Sequence, residues 1–117
     1  MLSFTSKHKY YIYGGITDMR KGFDGLSGLV NANFDSELLS GDVFIFLNGK
    51  RDRVKMLVWD VTGFAIYYKR LEKGTFELPE IKEGEKTLEL RWSSLVMLLE
   101  GIELKGIKKR KRFQLSA

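Results

Sequence analysis

The sequence contains no cysteine, which removes disulfides and thiolate metal sites and suits a reducing compartment. It has a single histidine, His8, close to the N-terminus, a poor position for a nucleophile–base pair. Pro79 is the only proline and belongs at a sheet edge or a strand end, since it cannot donate to a ladder. No apolar run approaches the roughly 20 residues that a bilayer crossing requires. The opening MLSFTSKHKYYIY lacks the basic, apolar and small-residue order of a signal peptide. These absences lead us to expect a soluble, cytoplasmic protein with no membrane partner.

What is present suits one domain: 117 residues, 44% of them hydrophobic, allow one core and are too few for two ordinary ones. Net charge is +5, and its distribution is uneven. Residues 48–74 carry 7 basic and 3 acidic side chains, 75–104 carry 3 and 7, and 105–117 carry 6 and 0. Two separate basic regions of this kind suit a polyanionic partner, because Lys and Arg contacts to phosphates release counterions, but such asymmetry is also common on soluble surfaces that bind nothing. We expect a single α+β domain over residues 1–104 and a basic, flexible tail over 105–117.

The stretch 48–74 reads as two hairpins in a row. Asn48-Gly49 follows the apolar run Val43 to Leu47, and Asn-Gly adopts the positive φ angles of tight turns. Thr62-Gly63 separates the strand Arg53 to Trp59 from the strand Phe64 to Leu71, and Lys73-Gly74 closes the latter. Alternation places Val54, Met56 and Val58 on one face and Lys55 and Leu57 on the other, and likewise Phe64, Ile66 and Tyr68 opposite Ala65, Tyr67 and Lys69. One face is then core and the other positively charged.

Elsewhere, Tyr10 to Tyr13 predicts a first strand stopped by Gly14-Gly15. A helix is expected from Asp18 or Thr17, with Met19, Phe23, Leu26 and Val30 on its apolar face and Arg20 and Asp24 pairing opposite. Gly22 would let that helix approach the sheet, and Gly28 could mark an early break. Asn31 to Asp42 is a polar connection, and Glu80 to Glu85 an acidic loop. Thr87 to Trp92 predicts a further strand, and Leu95 to Glu100 a last helix capped by Ser93 or Ser94 and ended by Gly101. The predicted architecture is an antiparallel, hairpin-built sheet of about five or six strands with two helices packed against it.

Four sets of residues are candidates for function. The basic set Lys50, Arg51, Arg53, Lys55, Lys69, Arg70 and Lys73, interleaved with Trp59, Tyr67 and Tyr68, can neutralise phosphates while the rings stack on unpaired bases; the alternative is a solvated outer sheet face with its aromatics in the core, which is favoured for Trp59 and Tyr68. The tail, with Lys108, Lys109, Arg110, Lys111 and Arg112, can follow a phosphate backbone. Asp18, Asp24, Asp42, Asp52 and Asp60 are the candidates for metal-dependent phosphoryl transfer, but nothing in their spacing gathers three of them. The glycine-rich turn from Gly14 to Gly22 has neither P-loop nor dinucleotide spacing, which favours a structural role. No cofactor or small-molecule substrate is indicated.

Three blocks carry a resemblance. They are Arg51 to Asp60 (RDRVKMLVWD) with Gly63-Phe64, Tyr68 to Gly74 and Phe76; Gly15 to Leu26 (GITDMRKGFDGL); and Leu95 to Ile102 (LVMLLEGI). Taken in chain order, 15–26, then 51–76, then 95–102, they resemble the small accessory protein from the second reading frame of the insertion sequence 66 family of bacterial transposable elements, often labelled transposase B. Leu78 stands where that family often has Trp, and Asn48-Gly49 replaces a longer arginine-containing loop. The resemblance implies a non-catalytic accessory to transposition, with DNA, a separate transposase and other element-encoded proteins as partners. It implies no catalytic residues. A protein-interaction module without nucleic-acid contact is the alternative, and a metal-dependent enzyme the remote one.

Overall fold

The computed structural model describes residues 4–101. In chain order its elements are β1 (Tyr10–Ile16), α1 (Phe23–Asn33), β2 (Val43–Leu47), β3 (Arg53–Asp60), β4 (Gly63–Arg70), β5 (Thr87–Leu90) and α2 (Trp92–Glu100). The five strands form one sheet in the order β4-β3-β2-β1-β5, giving the expected α+β class. The pairs β3/β4, β2/β3 and β1/β5 are antiparallel, but β1 and β2 run parallel. The reason lies in their connection: residues 17–42 contain α1, and a crossover of that length returns the chain to the end where β1 began, as a hairpin cannot.

Both faces of the sheet are covered. On one, Leu26, Val30 and Phe34 of the α1 segment pack on Phe44, Phe46 and Leu57. On the other, Leu95 and Leu98 of α2, with Phe76 from the loop after β4, pack on Tyr10, Ile12, Val43, Ile45, Met56 and Val58. Central β2 is buried at all five positions, which accounts for its unbroken apolar sequence. The expectation of one core face and one charged face is therefore overturned, because Leu57 and its neighbours meet a helix on the side assigned to charge.

The helices start elsewhere than predicted. Helix α1 begins at Phe23 with Gly22 as N-cap, and Asp18 lies in the preceding turn. Arg20 donates to Asp18 there rather than pairing with Asp24. Met19 precedes the helix but still packs against its apolar cluster, whereas Phe23 is 49% exposed. A Cβ at Gly22 would meet nothing within 4 Å, so this glycine does not serve close approach, and the helix continues through Gly28 to Asn33. Strand β1 runs on through Gly14-Gly15 to Ile16, with an irregular register between Ile12 and Ile16. Helix α2 begins at Trp92 with Arg91 as its N-cap, which removes Trp92 from the preceding strand and sets its ring 5.8 Å from that of Tyr10.

Gly101 ends α2, at φ 78°. A Cβ there would lie 2.7 Å from Leu71 Cδ1 and 3.3 Å from the Thr75 carbonyl oxygen. Gly101→Ala therefore combines left-handed backbone strain with overlap, and should lower stability by about 2 kcal/mol, read as a fall in the urea midpoint.

Candidate nucleic-acid interface

The connection between β2 and β3 is longer than the two-residue turn expected. The Asn48 amide donates to the Arg53 carbonyl, and the Arg51 amide to the Asn48 carbonyl. Asn48 Oδ1 accepts from the amides of Asp52 and Arg53, while its Nδ2 donates to Asp52 Oδ1 at 2.7 Å. Positive φ falls on Arg51, at 58°, and not on Asn48-Gly49. Asparagine thus acts through its side chain, tying the loop to the start of β3. In the next hairpin Asp60 is opposite Gly63, so the turn is Val61-Thr62, with Val61 at φ 52°.

That register decides which side chains meet at the basic end of the sheet. Arg53 lies directly opposite Arg70, Val54 opposite Lys69 and Lys55 opposite Tyr68. The loop after β4 is fastened to the β2–β3 loop, because Leu71 N–H donates to the Asp52 carbonyl and Phe76 N–H to the Arg51 carbonyl. With Phe76 fully buried, this anchors the turn that carries Lys73. Lys50, Arg51, Arg53, Arg70 and Lys73 are consequently gathered at one end of the sheet, against two carboxylates, Asp52 and Glu72. Asp52 is turned onto Asn48, whose hydrogen bond is the main cause of its lowered pKa, and Glu72 pairs with Arg70.

Two basic residues predicted for the same set are placed differently. Lys55 is 9% exposed; its ammonium donates to the carbonyls of Met19 (2.7 Å) and Lys21 (2.9 Å) and stands 4.7 Å from the Tyr68 ring centroid. It holds the 18–22 turn on the sheet and brings Arg20 and Lys21 towards the same end. Lys69 points to the opposite face and donates to the Leu99 carbonyl at 2.8 Å, near the C-terminus of α2, where a cation is favoured. The tail residues Lys108 to Arg112 lie outside the described residues.

Tyr68, expected in the core, is 48% exposed. It alternates with Arg70 along β4, and Arg53 donates to its hydroxyl at 3.4 Å. The ring stands amid three cations, as the stacking alternative has it, although its alternation with Ile66 reads as core. The signal was its pairing with Lys55, visible only once the hairpin register is known. Trp59, half-buried, packs edge-on against Phe64 at 5.0 Å.

Among the described residues, no group of three or more His, Asp or Glu side chains could hold a metal ion. Asp52 precedes β3 and Asp60 ends it, a separation of about 25 Å at the ordinary rise of a strand. Asp18, with its carboxylate held chiefly by the Arg20 side chain, has its pKa lowered from 3.8 to about 2. The folded value lies below the unfolded one, so the pair favours the fold above pH 3.8 and that contribution disappears as pH falls through about 2. A carboxyl titration by NMR should place the Asp18 midpoint near 2, and Arg20→Ala should return it towards 3.8.

Residues 8–109 match the family described as IS66 Orf2 like protein. The chain is also similar to two uncharacterized proteins of Sinorhizobium fredii (strain NBRC 101917 / NGR234). It is 30% identical to y4jC over 93 residues, 80% of this chain and 78% of that one. It is 30% identical to y4hO over 103 residues, 88% of each. No solved structure matches. No helix among the described residues is long and apolar enough to cross a membrane. The chain belongs to the IS66 Orf2-like family, and with that membership goes an accessory role associated with transposition.

Proposed function

We propose that this protein serves transposition by holding DNA through its phosphate backbone at the basic end of the sheet, without catalysing strand chemistry itself. The observation that carries the reading is the Arg53–Arg70 pair. Like charges directly opposite each other on adjacent strands repel, and among the described residues the ion pair this couple makes is Arg70 with Glu72, while Arg53 acts on the Asp52 carboxylate without pairing to it. A phosphate between the two guanidiniums would relieve that repulsion and accept hydrogen bonds from both. Lys50, Arg51 and Lys73 extend the positive surface to either side, and the exposed Tyr68 ring is available to stack on an unpaired base. The fastened loops present these groups already ordered, which reduces the entropic cost of binding. The transposase and other proteins encoded by the element are the expected companions on the DNA.

Five phosphate contacts would release counterions enough to weaken binding several hundred-fold between about 50 and 200 mM salt. Titration of a labelled duplex with the full chain across that range tests the reading. A linear, steep dependence supports it, and absence of binding at low salt refutes it. Comparison of element-end with scrambled duplexes then shows whether the protein also selects sequence.

A further inference from the structure

Helix α2, the edge strand β5 and the 77–80 segment enclose a groove of about 800 Å³ on the side of the sheet that carries α2. Its walls include Leu78, Leu88 and Met97, the last 67% exposed. Its rim carries Glu77, Glu80 and Glu89, all exposed, with Arg91 as the only basic lining residue. Neither surface belongs to the proposed DNA-binding end. An apolar floor ringed by carboxylates suits a segment in which cations alternate with bulky apolar residues, and such a segment is attached to it.

Gly101 lines the groove, and the chain leaves from there into Lys105-Gly-Ile107-Lys108-Lys109-Arg110-Lys111-Arg112-Phe113. We propose that residues 105–113 dock in this groove of their own chain, with Ile107 and Phe113 on the Leu78, Leu88 and Met97 surface and the intervening cations on Glu77, Glu80 and Glu89. Ile107 is the sixth residue after Gly101, a reach of up to about 20 Å, so no distant rearrangement is required. A tether this short gives an effective concentration in the millimolar range, and a contact with a dissociation constant of about 1 mM would already be half occupied. The acidic rim would then compete with DNA for the tail, keeping its cations covered until a stronger polyanion displaces them.

Because the chain has no cysteine, Ser116→Cys supplies a unique thiol for a nitroxide spin label on the otherwise intact protein. The amide signals of Leu88, Glu89 and Leu90 should lose most of their intensity relative to those of the distant Val61-Thr62 turn. That loss should disappear in the triple variant Glu77→Gln, Glu80→Gln, Glu89→Gln, whose spectrum also reports whether it remains folded. It should also fade when salt is raised from about 0.1 to about 1 M, where the Debye length falls from about 10 to about 3 Å. Attenuation absent from the groove, or unchanged in the triple variant, overturns the proposal. So does attenuation that appears only when isotope-labelled protein is mixed with spin-labelled protein, since the occupant is then a second copy's tail. The experiment contains no nucleic acid, and its result is independent of the DNA reading.

Discussion

The double substitution Arg53→Ala, Arg70→Ala will weaken binding to duplex DNA about a hundredfold at low salt, from two charge-assisted contacts of about 1.5 kcal/mol each. The slope of log affinity against log salt will fall by about 2, since each lost phosphate contact removes about 0.9. The sign of the accompanying stability change separates this from damage to the fold. Arg53 and Arg70 are cross-strand neighbours of like charge, and the exposed Arg70–Glu72 pair contributes little. Removing both should therefore leave the protein as stable as before or up to about 1 kcal/mol more stable. A binding titration over a salt series, together with a urea melt of the same variant, checks both halves. Unchanged affinity and slope would mean that this arginine pair does not meet phosphate.

Lys55 is predicted to behave in the opposite way. Its ammonium is the donor to two backbone carbonyls and stands 4.7 Å from the Tyr68 ring centroid, and the residue is 9% exposed. Lys55→Ala strands both acceptors and opens a cavity, for a loss of about 3 kcal/mol and a fall in melting temperature of more than about 10 °C. Lys55→Met retains most of the packing and should lose less, about 1–2 kcal/mol. The salt slope for DNA should be the same for Lys55→Met as for the original protein, because this cation is committed to the protein's own backbone. A slope reduced by about 1 with stability intact would make Lys55 a phosphate contact instead.

The contrast between these residues shows which parts of the molecule were legible in the sequence. Strand alternation correctly separated Val54, Met56 and Val58 from Lys55 and Leu57, because side-chain faces depend only on a period of two. What alternation cannot reveal is what covers each face. Lys55 reads as an outward cation until α1 and its preceding turn are placed over it. Moving the hairpin turn from the expected Thr62-Gly63 to Val61-Thr62 shifts the pairing of β3 with β4 by two residues. Such a shift keeps every face assignment and changes every partner, so each residue of β3 and β4 stayed on its expected face while Arg53 acquired Arg70 as its neighbour.

The ends of helices were less legible for a related reason. Asp18 is an effective cap by composition, but its carboxylate is taken by Arg20 two residues on, and the helix waits until Gly22. The parallel pairing of β1 with β2 was also hidden, since it depends on where the 17–42 connection returns rather than on either strand's composition. The basic end itself was visible as a concentration of charge. Its coherence comes from backbone bonds between the 51–52 and 71–76 loops, which carry no compositional mark.

The most direct test of the central claim is to titrate the isotope-labelled full chain with a short DNA duplex and map the amide shifts onto the sheet. The account predicts that the largest shifts cluster at residues 49–53 and 68–73, with the tail included and the Val61-Thr62 turn at the far end of the hairpin silent. Shifts concentrated instead on β5 and α2, or no shift at any residue of the 49–53 and 68–73 segments, would contradict it.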